Sequence, residues 1–252
     1  MRVISWNMGL ADRSRRFLKT HDEAWRFLLD LRPDLAFTQE SLPPDWAENE
    51  GRIVRDPFKK WGSAVFSPRL AIEPLTLPGG NPLRALPNYL AFGDIQLDDA
   101  EHTLVASIHA PPRSADGDIL GEHDPDTLRR SVEGPKYNDA IFAGLVPLVE
   151  RRSFIFASDW NTSRRQATDR DSRAGNEFFT RVGEARWHDC TWSKLEEEIQ
   201  TWFGAGKVKQ DDYVFCDLEL GERVSNVAVA EDAATKLNLS DHAPLIVDFD
   251  QV

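Results

Sequence analysis

The sequence has 252 residues, 41% hydrophobic and 29% charged, with a formal net charge of -12, enough for one large sandwich or barrel domain with a buried core. No apolar run approaches the roughly 18 residues a membrane span needs. The acidic balance argues against nonspecific adhesion to nucleic acid or anionic membranes, which rests on Lys and Arg contacts. It does not argue against a phosphate ester as substrate, because clustered carboxylates that hold metal ions also make a chain acidic. Cys190 and Cys216, the only cysteines, match no metal-ligand or redox spacing, so reduced thiols in or near the core are expected.

In chain order, Arg2 to Trp6 reads as a strand entering the core. Met1 to Asn7 shows none of the basic, apolar and small-residue succession of an export signal, and a cytoplasmic location is expected. Arg15 to Leu31 carries apolar residues at helical spacing. Strand candidates follow at Leu35 to Thr38, Ser63 to Ser67, Tyr89 to Leu97 and Thr103 to His109, with a turn-rich link at Leu77 to Pro82. Pro111 to Pro135 is rich in Pro, Gly, Asp and Arg and long for a passive connection, so it reads either as an exposed loop beside a site or as a solvated insertion. Helical spacing returns at Tyr137 to Glu150 and Arg173 to Arg181, on either side of a strand candidate at Phe154 to Ala157. Tyr213 to Phe215, Val224 to Val229 and Leu245 to Phe249 complete the strands. Helices spaced this unevenly suit two packed sheets flanked by helices, an α/β or α+β chain, better than regular βαβ alternation. A single domain spanning 1–252 is expected.

Acidic, amide and imidazole residues recur at the strand ends, where a packed core can hold them rigidly with their tips exposed. Asn7 ends the first strand, Glu40 follows the second, and His109 ends another. Asp159 and Asn161 follow Phe154 to Ala157, Asp212 precedes Tyr213, and Asp241 with His242 precedes the last strand. Singly, each has an ordinary structural explanation: a surface carboxylate, a turn amide, a cap or a core histidine. Their order and contexts together are harder to explain that way.

The ordered blocks Ile4-Ser5-Trp6-Asn7, Asp34 to Glu40, Trp61 to Ser67, Ser107-Ile108-His109-Ala110-Pro111, Ser158-Asp159-Trp160-Asn161, Asp212-Tyr213-Val214-Phe215 and Ser240-Asp241-His242-Ala243-Pro244 resemble the endonuclease/exonuclease/phosphatase superfamily. That superfamily includes deoxyribonuclease I-like nucleases, abasic-site endonucleases, sphingomyelinases and inositol-polyphosphate phosphatases. The resemblance implies a four-layer αββα sandwich with the site at one end of the paired sheets. It makes Glu40 the principal metal ligand, Asn7 its neighbour and Asp241 a further metal-site carboxylate. It matches Asp159 and Asn161 to the pair that positions the attacking water, His242 to the imidazole that meets the phosphate, and Asp212 to the carboxylate orienting it. His109 matches a position that touches a phosphate oxygen. Oxygen ligands of this kind suit Mg2+, with Mn2+ as the alternative, better than zinc.

The chain departs from the family pattern in three places. Ser158 stands where glycine is usual and Trp160 where phenylalanine is commoner. Asp211 replaces an apolar residue, so Asp212 is assigned by its adjacency to Tyr213. No carboxylate partner for His109 is legible.

Arg164 and Arg165 follow the Asp159/Asn161 block and could clamp substrate phosphates by bidentate hydrogen bonds, or form a solvated helix entry. Arg170 and Arg173 lie just beyond, and Arg13, Arg15, Arg16 and Lys19 could extend the basic rim. Trp160, Trp192 and Trp202 could stack on bases or be core residues. The expected activity is metal-dependent hydrolysis of a phosphodiester, with nucleic acid or a nucleotide as substrate. A phosphatase of a small metabolite or lipid headgroup, and an inactive binding module, are the alternatives.

Overall fold

The computed structural model describes residues 1–11, 16–55, 61–86, 88–97, 102–112, 137–164, 169–204 and 209–250, with the side chains of 169–174 not described. Two six-stranded sheets face each other. The first runs in the order β11-β12-β1-β2-β4-β3, from β1 (Arg2–Asn7), β2 (Leu35–Ser41), β3 (Arg52–Arg55), β4 (Gly62–Ser67), β11 (Val224–Val229) and β12 (Leu245–Phe249). The second runs β5-β6-β7-β8-β10-β9, from β5 (Ile72–Pro74), β6 (Leu90–Gln96), β7 (His102–His109), β8 (Phe154–Asp159), β9 (His188–Asp189) and β10 (Asp212–Cys216). Each sheet has one parallel pair at its centre, β1 with β2 and β7 with β8, and antiparallel pairing elsewhere.

Parallel neighbours need a crossover, and a helix supplies each one. Helix α1 (His21–Asp30) joins β1 to β2, and α3 (Tyr137–Val149) lies between β7 and β8. The shorter α2 (Ala47–Glu50) precedes β3. Helix α4 (Asp169–Glu184) follows β8, and α5 (Cys190–Leu195), α6 (Leu218–Gly221) and α7 (Asp232–Thr235) punctuate the C-terminal third.

Side-chain alternation along the central strands divides the apolar residues among three cores. Val3, Leu35, Phe37, Val105, Ile155, Ala157 and Val214 fill the space between the sheets. Ile4, Trp6 and Ala36, one residue along, face outward against Ala24, Trp25 and Leu28 of α1. Leu104, Ala106, Ile108, Phe154, Phe156, Tyr213 and Phe215 face the opposite way, against Ile141 and Leu145 of α3 and Phe178 and Val182 of α4. The chain is therefore a four-layer αββα sandwich. Helix α1 buries His21, Ala24, Trp25 and Leu28, the i, i+3, i+4, i+7 stripe that fixes which face meets the sheet. Each large apolar side chain so buried contributes on the order of 1.5–3 kcal/mol.

The helix expected over Arg15 to Leu31 begins at His21, since Phe17 to Thr20 turn instead; Arg15 lies outside the described residues. The helix expected over Arg173 to Arg181 spans Asp169–Glu184. Strands β3, β5 and β9 are too short for alternation to register. Most of the segment Pro111 to Pro135 lies outside the described residues. Among the described residues no helix is long and apolar enough to cross a membrane.

Candidate active site

Parallel pairing brings the C-terminal ends of β1, β2, β7 and β8 to one edge of the sandwich. Register then decides the neighbours: Asn7 lies beside Gln39, His109 beside Asp159, and Asp159 beside Asp212. Asn7, Glu40, His109, Asp159, Asn161, Asp241 and His242 all line one cleft of about 560 Å³ at that edge, and Asp212 lies buried behind His242. The two sheets are tied together at its floor, where Asn7 Nδ2 donates to Asp159 Oδ2 at 2.8 Å and Gln39 Nε2 donates to Ser107 Oγ at 3.0 Å.

Glu40 reaches the cleft through an irregularity in its strand. The ladder between β2 and β4 shifts register between Thr38 and Ser41, and Glu40 has φ +45°. Such a bulge re-aims one side chain while the pairing resumes beyond it. Glu40 Oε2 accepts from Ala11 N at 3.2 Å and Oε1 lies 3.2 Å from His109 Nε2. His109 thus has a carboxylate partner that was not legible in the sequence, with Asp159 Oδ2 also 3.8 Å away. Gly9, at φ +71°, donates its N–H to Asn7 Oδ1 at 2.9 Å; a Cβ there would lie 2.6 Å from the Phe17 ring. Glycine is required at that turn.

Asp159 is held by three N–H groups. Asn161 N reaches Oδ1 at 2.9 Å, and Asn161 Nδ2 and Asn7 Nδ2 reach Oδ2 at 3.1 and 2.8 Å. A carboxylate has about four acceptor sites, so room remains for a further donor from the cleft. Asn161 holds φ +48°, a left-handed conformation that asparagine tolerates better than other non-glycine residues, and its amide is anchored on Ala110 O at 3.1 Å.

His242 sits on a loop fixed from three sides. Ser240 Oγ donates to Asn7 O and accepts from His242 N, Trp6 Nε1 donates to His242 O, and Phe203 N donates to Asp241 O. Its Nδ1 lies 2.8 Å from Asp212 Oδ2, while Nε2 lies 4.0 Å from Asp159 Oδ2. Burial alone would lower the imidazole, but Asp212, followed by Asp159 and Asp241, outweighs burial and holds its pKa well above the ordinary value. Burial pushes the Asp212 carboxyl up, against the pull of His242. The proton belongs on the imidazole, because several carboxylates favour it there. Asp212 rather than Asp211 meets His242. Asp211 pairs with Lys209 Nζ at 2.7 Å, and burial pushes its carboxyl up to about 7 against that cation.

No protein-family model and no curated protein matches the sequence. Solved structures do match. The endonuclease domain of TRAS1, a telomere-specific non-LTR retrotransposon, is 17% identical, with 99% of this chain and 98% of that chain covered and a TM-score of 0.63. An AP endonuclease from Archaeoglobus fulgidus is 16% identical, with both chains covered to 100% and a TM-score of 0.66. The 3′ phosphatase NExo from Neisseria, bound to a product DNA hairpin, is 14% identical, again with 100% of both chains covered and a TM-score of 0.67. The fold is that of the deoxyribonuclease I-like endonuclease/exonuclease/phosphatase group.

On this DNase I-like scaffold Arg164 is not brought into the cleft. Its guanidinium stacks between Phe179, 3.7 Å from the ring centroid, and Trp192, at 4.5 Å, and pairs with Asp189 at 3.0 Å. Burial pushes the Asp189 carboxyl up to about 6, with Arg164 pulling it down. Both faces of the guanidinium are covered, which suits an anchor more than a phosphate clamp. Arg165 lies outside the described residues. Trp160 is buried against Phe178 and Phe215, a core position. The cleft contains aromatic side chains that sequence reasoning did not select, Trp61 and Tyr89. Trp61 immediately precedes β4, which runs antiparallel to β2, so a strand start facing the Glu40 end was the available signal.

Asn7, Glu40 and Asp241, whose side chains carry oxygen donors, all line the DNase I-like cleft. Among the described residues no three His, Cys, Asp or Glu side chains form a ready metal cage. An all-oxygen set with an open coordination sphere fits magnesium, which keeps waters and takes one or two carboxylates plus substrate phosphates.

Proposed function

We propose that this chain is a divalent-metal-dependent phosphodiesterase, a nuclease that cleaves nucleic acid or nucleotides by attack of water, with Mg2+ or Mn2+ held by Glu40, Asn7 and Asp241. The observation that carries the reading is the convergence of Asp159, the His242–Asp212 pair and Glu40 on one cleft, from both sheets. The bound ion would neutralise charge growing on a phosphate oxygen. Asp159, fixed by Asn7 and Asn161, orients a water and receives its proton on the free acceptor site. His242, charged and steadied through Nδ1, directs its Nε2–H at a phosphate oxygen and stabilises the developing charge. His109 Nε2, shared with Glu40, offers a second contact to phosphate.

The structural neighbours support the substrate class: two are named as endonucleases and one as a 3′ phosphatase bound to DNA. The test is hydrolysis of single- and double-stranded DNA, RNA, cyclic dinucleotides and phosphorylated metabolites with Mg2+ or Mn2+, using Glu40→Ala and His242→Ala controls. Cleavage of polynucleotides that both substitutions abolish is the expected result. Hydrolysis of small monoesters alone would move the reading to a metabolite phosphatase, and no hydrolysis under either ion would leave an inactive binding module.

A further inference from the structure

Part of the cleft lining is aromatic. Trp61, Tyr89 and His109 form a contiguous group, with ring centroids 5.8 Å apart for Trp61 and Tyr89, 5.5 Å for Tyr89 and His109, and 6.1 Å for Trp61 and His109. Trp61 belongs to none of the three buried cores and is only half-buried. The wall is rigidly mounted. Tyr89 O accepts from both Ser63 Oγ at 2.9 Å and His109 N at 2.8 Å, and Asn88 O accepts from Ser63 N at 2.8 Å. These bonds pin the Tyr89 backbone between β4 and β7.

Resting on the phosphodiesterase reading above, we infer that Trp61, backed by Tyr89, is a specificity residue that stacks the nucleobase flanking the scissile phosphate. The geometry has three parts. His109 touches the Trp61 and Tyr89 rings and also lies 3.2 Å from Glu40 through Nε2, so a single side chain separates the wall from the proposed metal-site carboxylate. An indole in the cleft lining is a flat apolar group that matches a base and offers nothing to a small aliphatic phosphate ester. A pre-ordered ring also loses little conformational entropy on binding. The preferred substrate therefore has an unpaired, accessible base beside the cleaved bond.

The test compares two single-stranded oligothymidylates, one intact and one with an abasic spacer flanking the cleaved phosphate. Base–aromatic stacking of about 1–3 kcal/mol predicts that the wild type cleaves beside thymine about 5- to 150-fold more efficiently than beside the spacer. Trp61→Leu, which keeps apolar bulk but loses the flat face, should bring that ratio close to one, mainly through KM, whereas Trp61→Phe should retain most of it. Thermal melting checks folding, and Tyr89→Leu, expected to give a smaller loss of the same preference, serves if Trp61→Leu fails to fold. Anisotropy of the fluorescein-labelled oligothymidylate and its spacer counterpart gives a readout independent of turnover, expected to show the same preference in the wild type and its loss in Trp61→Leu. An equal ratio in the wild type and Trp61→Leu, by both readouts, would overturn the inference. Failure of the wild type to hydrolyse any phosphodiester would instead sink the phosphodiesterase reading, leaving anisotropy to judge the wall.

Discussion

Two buried carboxylates in this molecule each hold a cation, Asp212 with His242 and Asp189 with Arg164, and they serve opposite ends. Both pairs are close, at 2.8 and 3.0 Å, and in both burial pushes the carboxyl up. The cations differ in what they leave free. His242 spends Nδ1 on its partner and keeps Nε2 toward the cleft, whereas Arg164 is covered on both faces by Phe179 and Trp192. A perturbed ion pair is thus not in itself a functional site. On the proposed function, the Nε2 facing the cleft is what separates a catalytic pair from an anchoring one.

The largest effect should come from emptying the proposed catalytic pair. His242→Ala should lower kcat/KM on whichever phosphodiester the wild type cleaves by about 1,000-fold or more, and Asp212→Asn by about 100- to 10,000-fold, through lost charge stabilisation and orientation. Steady-state kinetics read both. Equal losses from Asp189→Ala would erase the distinction between the pairs.

Asp189→Ala should instead act on stability. It strands a buried guanidinium and removes the side chain that accepts from Thr191 N and Trp192 N at the start of α5, a loss of about 3–5 kcal/mol. Urea unfolding would show it, with turnover per folded molecule retained. Arg164→Met combined with Asp189→Leu should recover much of that loss.

A third buried ionisable group, with no countercharge in contact among the described residues, sharpens the contrast through pH. His21, paired with the Leu42 backbone through Nε2, has its pKa lowered to about 4, first by burial. Between that value and its ordinary 6.5 the unfolded chain binds more protons, so stability falls as pH drops through this window, by up to about 3 kcal/mol. Denaturant midpoints taken from pH 7 to 4 would show the slope, reduced in His21→Gln.

The smallest effect concerns Ser158, beside Asp159. Its hydroxyl donates to Tyr213 O at 3.3 Å in the buried ladder, and Ser158→Ala should cost about 1 kcal/mol or less in urea unfolding.

The uneven spacing of strand and helix candidates implies two packed sheets flanked by helices, and the family resemblance supplies the four-layer order; which core each residue of β1, β2, β7 and β8 faces is not legible in runs buried along almost their whole length. Sequence reading reached the strand-end polar residues because each interrupts an apolar run. Contacts made by irregular backbone were hidden. The Glu40 bulge lies just past Leu35 to Thr38, where the sequence carries no strand signal, so its approach to His109 is not legible. Arg164 misled because adjacency to Asp159 and Asn161 says nothing about where a guanidinium points once Phe179 and Trp192, distant in sequence, arrive on either side. Trp61 escapes a strand-by-strand reading for the same reason: a cleft wall is assembled across strands, not along one.

The bulge in β2 carries a consequence for descent. Pairing resumes at Ser41 with Gly62 after the shift, so the extra residue is a detachable unit of length. A one-residue deletion between Thr38 and Ser41 would restore an uninterrupted ladder and leave the hydrophobic frame of both sheets in register. It would also withdraw the Glu40 carboxylate from the cleft. A lineage built on this scaffold could therefore fall silent through a single in-frame codon loss, with its core unmarked by any substitution.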